Sequence, residues 1–115
     1  MLLSDHIQKD VLHIKFQGTY RITNGVAQAL KEEVVKHLNQ CCKSIFIDLN
    51  NIHFIDAKSF GELVSLSNLA RSHSVRLSLC NVSDEAYELI DMMQLHDELV
   101  VSGHPIELAA ISDLN

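Results

Sequence analysis

Hydrophobic and polar positions change period along the chain. From Val11 to Gln17 they alternate, with Leu12, Ile14 and Phe16 on one side and His13, Lys15 and Gln17 on the other. A period of two predicts a strand with one covered face, closed by Gly18. Leu2 to Gln8 predicts a short edge strand before it. The break at Lys9 and Asp10 is tight, so the two strands are expected to pair antiparallel. Val26, Leu30, Val34 and Leu38 then recur every four residues. That spacing lays one apolar stripe along a helix, with Thr23 or Asn24 as its cap and an end near Asn39. Lys31, Glu32, Lys36 and Gln40 fall mainly off the stripe.

Ile45, Phe46 and Ile47 form a continuous apolar run too short for a helix. Such a run predicts a central strand covered on both faces, as in a parallel sheet flanked by helices. A second apolar group, Ile52 to Ile55, leads to Asp56, where helical spacing resumes with Phe60, Leu63, Val64, Ser67 and Ala70 and ends by His73. Val75, Leu77 and Leu79 alternate with Arg76 and Ser78, predicting another strand. Ser83 caps a third helix carrying Ala86, Leu89, Ile90 and Met93, and Glu85 favours its positive end. Leu99 to Val101 predicts a last short strand, residues 102–105 a break, and residues 106–114 a loosely attached final helix. Strands alternating with helices imply class α/β: a mixed, mostly parallel sheet of four or five strands with three or four helices. One domain is expected over 1–115, its core about 11–101 and residues 102–115 a C-terminal extension.

A chain of 115 residues with 47% hydrophobic positions can bury a core of its own. Fifteen acidic against nine basic residues give a formal charge of −6, and no Lys/Arg cluster stands out in the sequence. Nucleic acid is therefore not an expected partner, because phosphate tracking needs concentrated positive charge. No apolar run is long enough to span a bilayer, and the first residues lack the pattern of a secretory signal, so no membrane insertion and a cytoplasmic location are expected. Three cysteines, Cys41 and Cys42 adjacent, give no disulfide framework and suit reduced thiols.

Few residues suggest chemistry. The four glycines, Gly18, Gly25, Gly61 and Gly103, form no phosphate-binding loop, and no Gly-x-Ser-x-Gly elbow occurs. A receiver-domain reading would use Asp48, but no acidic pair follows an early strand and no Lys follows the last one. His37 and Cys41 stand four apart on the first helix, yet paired metal-ligand spacing is missing, so no metal or other cofactor is expected. Cys80 reads as a core residue at a strand end. Asp56 reads as a helix cap, accepting from the amide of Lys58 or Ser59. Lys58 is less easily explained, since a cation in the first turn opposes the helix dipole.

The stretch from Asp48 to Gly61 resembles the signature of STAS domains, the anti-sigma factor antagonists and their relatives. Asp48-Leu49, Ile52, Phe54-Ile55, Asp56, Phe60 and Gly61 fall in place, and the similarity runs from about Val11 to Val101. The resemblance implies a mixed sheet with helices on one side and no enzymatic activity. It also implies a partner surface at the loop around Asp56 and along the exposed side of the second helix. In antagonists that surface holds a kinase-fold anti-sigma factor, and phosphorylation of the second Ser/Thr of the signature releases it. This chain departs there: Ala57 stands at the first Ser/Thr, Lys58 at the phosphoacceptor and Ser59 at the following Gly. Lysine cannot accept phosphate in this chemistry.

Two expectations follow. Either the module binds without phospho-control and Lys58 supplies a fixed positive charge, which we prefer, or Ser59 serves as a substitute acceptor. In both, Asp56, Ala57, Lys58, Ser59 and Glu62 border the partner-binding surface. The expected role is a protein-interaction module in a partner-switching pathway controlling transcription. The alternative is a regulatory STAS subunit of a lipid or anion transporter at the membrane. A homodimer remains open, as does a small-molecule sensor with an unspecified ligand.

Overall fold

The computed structural model describes residues 3–38, 43–93 and 99–102. In chain order the elements are β1 (Leu3–Gln8), β2 (Val11–Phe16), β3 (Arg21–Ile22), α1 (Asn24–Leu38), β4 (Ser44–Asp48), β5 (Phe54–Ile55), α2 (Ala57–Ser72), β6 (Arg76–Cys80), α3 (Asp84–Met92) and β7 (Val101–Ser102). The first two strands form the expected antiparallel hairpin, with Leu3 opposite Phe16 and Gln8 opposite Val11. Its loop residues Lys9 and Asp10 both take positive φ, 52° and 66°, which matches the twist of a two-residue hairpin turn.

The main sheet has the order β1-β2-β4-β6-β7, and every pairing after the hairpin is parallel. One face is continuous: Leu12 and Ile14, Ile45 and Ile47, Leu77 and Leu79 are all buried in one cluster with the stripes of the helices. From α1 this cluster takes Val26, Leu30, Val34 and Leu38. From α2 it takes Phe60, Leu63, Leu66 and Ala70, and from α3 Ala86 and Ile90. The helices therefore cover that face, and the fold class is α/β with a mostly parallel sheet, as the alternation required.

The opposite face corrects one expectation. Phe46 is only half-buried and stacks on His13 at 5.6 Å between ring centroids. β4 alternates as β2 does instead of being covered on both faces. Its apolar run misleads because an aromatic ring can shield itself against a neighbour on an open sheet face.

Two further strands escaped the pattern. Arg21 and Ile22 pair in parallel with Phe54 and Ile55 as a small separate ribbon beside the expected five-stranded sheet. Of the Ile52-to-Ile55 group, only Phe54 and Ile55 are strand. The last strand is Val101–Ser102 instead of Leu99 to Val101, although Leu99 is buried. Met93 caps α3 and is 40% exposed instead of lying in its stripe. Cys41 and Cys42, the helix end at Asn39 and the proposed final helix over 106–114 lie outside the described residues. No helix among the described residues is long and apolar enough to cross a bilayer.

Candidate functional site

Asp56 is placed by three backbone ties. Its amide donates to the Ile22 carbonyl at 3.2 Å, extending the small ribbon by one residue. Its carbonyl accepts the Phe60 amide at 3.0 Å, and its carboxylate accepts the Ser59 amide at 2.8 Å. With φ −75° and ψ 164° it is the extended N-cap of α2, so the capping expected from sequence holds, with Ser59 as the donor. The Ser59 side chain and amide hold the Asp56 carboxyl below its ordinary range, Lys58 adding to them and slight desolvation opposing. Hydrogen-bond geometry assigns that effect to the Ser59 amide, because the Ser59 hydroxyl makes no hydrogen bond.

The loop that delivers Asp56 is fixed at both ends. Asp48 closes its start, its carboxylate accepting the Asn50 amide at 2.9 Å and the Asn81 side-chain amide at 3.1 Å. This role accounts for Asp48 without phosphotransfer. Leu49 donates to Cys80 and Ile52 to Leu49, with Asn51 in the left-handed region at φ 69°. Asn tolerates that conformation better than most residues. At the far end the Ser83 hydroxyl donates to the Ile52 carbonyl at 2.8 Å and accepts the Ala86 amide at 3.1 Å. One side chain thus caps α3 and anchors the loop before Asp56.

The five residues expected at the surface divide. Ala57 and Lys58 are exposed, Asp56 and Glu62 are half-buried, and Ser59 is 0% exposed with its hydroxyl buried and outside hydrogen-bond geometry. Position 59 is the third of the helix, where side chains begin to meet the sheet, and it lies next to the core residue Phe60. The exposed side of α2 is low in profile: Ala57, Gly61, Ser65 and Asn68 share one helical stripe. A methyl group added at Gly61 would meet nothing within 4 Å, so nothing in the domain requires glycine there.

Sequence reasoning missed the neighbours supplied by the small ribbon. Arg21 pairs with Phe54, and the His53 amide donates to the Tyr20 carbonyl at 2.8 Å. Tyr20 is 60% and Phe54 45% exposed, and the Arg21 guanidinium lies 5.5 Å from the Tyr20 ring centre. His53 meets Glu85 at 3.4 Å. The only advance signal was an aromatic residue in the slot before Ile55. A two-residue strand has no readable period.

Burial and then the Asp48 charge push the Cys80 thiol up, with Lys15 opposing. It is a protonated, weakly nucleophilic group at neutral pH.

The family model for the STAS domain matches residues 4–109. The chain belongs to the STAS domain family. Among curated protein sequences none matches it significantly. Solved structures give the same fold. An anti-sigma-factor antagonist (STAS) domain protein from Planctomyces limnophilus superposes with TM-score 0.74 at 15% identity, covering 92% of each chain. The unphosphorylated anti-sigma factor antagonist SpoIIAA superposes with TM-score 0.70 at 11% identity, covering 96% of each. It is a Bacillus cell-fate determinant also solved in a phosphorylated form. The murine anion transporter Slc26a9 matches at TM-score 0.66 and 14% identity over 92% of this chain and 18% of the transporter. At these identities the likeness is one of fold.

Proposed function

We propose that this STAS domain is a non-enzymatic docking module of the anti-sigma-factor-antagonist type whose partner surface is held permanently in its binding state. The reading rests on one observation: Lys58 is exposed where relatives of the signature carry the phosphoacceptor, while the adjacent hydroxyl, Ser59, is fully buried. A kinase needs its acceptor to leave the surface and enter an active site. Ser59 could do so only by unwinding the first turn of α2 and losing the Asp56 cap.

The surface then comprises the half-buried Asp56 and Glu62, the exposed Ala57 and Lys58, and the Gly61 stripe. Ser59 acts beneath it by donating its amide. Tyr20, Arg21 and Phe54 extend the surface, since aromatic and arginine side chains make efficient interface anchors. The partner would be a protein with an acidic patch facing Lys58, in the simplest case a kinase-fold anti-sigma factor, in a partner-switching pathway in the cytoplasm. The transporter reading is carried by the fold likeness to Slc26a9 alone and ranks below it. Incubation with the cognate kinase and ATP followed by intact-mass measurement tests the proposal. No added phosphate is expected, and phosphate on Ser59 would overturn it.

A further inference from the structure

A cleft lies at the other end of α2. It has a volume of about 280 Å³ and is lined by Lys43, Ser67, Arg71, Ser74, Val75, Arg76, Leu77 and Val100. Topology explains the convergence. Lys43 precedes β4 and Arg76 opens β6, and because these strands are parallel neighbours their starts lie side by side. The Arg76 amide donates to the Lys43 carbonyl at 3.0 Å. Arg71 stands in the last turn of α2 above them. Along α2, Arg71 at this cleft lies roughly 20 Å from Lys58.

Charge is what sets the cleft apart. The chain carries −6 overall, yet three of its nine Lys and Arg residues line this one depression, and no Asp or Glu does among the described residues. Among the described residues no carboxylate forms an ion pair with any of the three, and the Arg71 guanidinium has only the Asn68 amide oxygen at 3.5 Å. All three cations are solvent-exposed, so they stand together without a burial penalty, and an anion held between them would gain from all three. Arg71, in the last turn of α2, is favoured by the negative end of the helix dipole, whereas Lys43 and Arg76 lie at strand starts outside it. Two guanidinium forks and two serine hydroxyls are the donor set suited to a phosphate group. Val75, Leu77 and Val100 add an apolar wall for a short organic tail.

We propose that this cleft binds a small phosphate monoester, its oxygens held by Arg71, Arg76 and Lys43 and its organic group against Val75, Leu77 and Val100. The site is independent of the docking surface and gives the domain a second input at the far end of the same helix.

An amide NMR titration of the intact chain with phenyl phosphate tests it, run beside inorganic phosphate, phenol, and sodium chloride at matched ionic strength. The expected result is saturable shifts at Ser67, Arg71 and residues 74–77 with phenyl phosphate. Weaker shifts are expected with inorganic phosphate, and none at these positions with phenol or chloride. Arg71→Gln and Arg76→Gln, both at exposed side chains, should each weaken binding by about tenfold with the rest of the spectrum unchanged, and Lys43→Gln should weaken it less. Shifts that do not saturate, that sodium chloride or phenol reproduces, that survive both arginine substitutions, or that centre on Lys58 would overturn the proposal.

Discussion

Lys58 and Ser59 are consecutive residues with opposite surroundings, and that contrast carries the functional reading. Lys58→Glu reverses a charge in solvent, so the melting temperature should move by no more than about 2 °C. Partner binding should fall by about tenfold or more, because a repulsive charge at a contact surface acts on association and register. Calorimetry and a binding titration on the same variant separate the two effects. Ser59 behaves differently. Its hydroxyl is buried without a partner, so Ser59→Ala should be neutral or stabilising by up to about 1 kcal/mol. Ser59→Asp should destabilise by roughly 3 kcal/mol or more, since it forces a carboxylate into the core. A well-folded Ser59→Asp chain in urea denaturation would show that this side chain can reach solvent.

At the scale of elements, α2 has a packed face and an exposed face that is proposed for docking. Its inner face is fixed by packing, and Phe60→Ala, at a side chain 1% exposed, should cost about 3–5 kcal/mol in chemical denaturation. Its outer face keeps a glycine that helix propensity disfavours. Gly61→Ala should stabilise the free domain by about 0.5–1 kcal/mol while weakening partner binding, because the added methyl projects from the docking side. A variant that gains stability and keeps full binding would show that no partner approaches α2 closely there.

Legibility followed element length. The hairpin strands, the three helix stripes and β6 were readable because each repeats its period several times. The ribbon of β3 and β5 was not, since two residues define no period and their pairing is fixed by a contact more than 30 residues apart in sequence. That ribbon positions Tyr20, Arg21 and Phe54, so the missed part of the site and the missed part of the fold share one cause. The Asp56 cap was legible because capping is local. The burial of Ser59 was not, because it depends on how α2 turns against the sheet.

For the whole molecule, acid stability reflects the caps. In the fold Asp56 and Glu85 titrate below their ordinary values of 3.8 and 4.5, Asp56 through Ser59 first and Glu85 through its own amide and then His53. A carboxyl whose pKa is lower folded than unfolded adds stability above the unfolded value, and that stability is lost as pH falls through the folded one. Melting temperature should therefore decline below about pH 4, and Asp56→Asn should remove part of that decline. An unchanged slope in the variant would show that Asp56 contributes no proton-linked stability.

The two ends of α2 carry the two proposed sites, one for a macromolecule and one for a phosphorylated ligand. The docking end is tested by capture on immobilised wild-type, Lys58→Glu and Ser59→Ala chains in parallel, with retained proteins quantified by mass spectrometry and the bait checked for phosphate. A kinase-fold protein should be retained by wild type and by Ser59→Ala and lost from Lys58→Glu, with an unmodified bait throughout. Equal retention by Lys58→Glu, or release accompanied by phosphate on Ser59, would contradict the docking proposal.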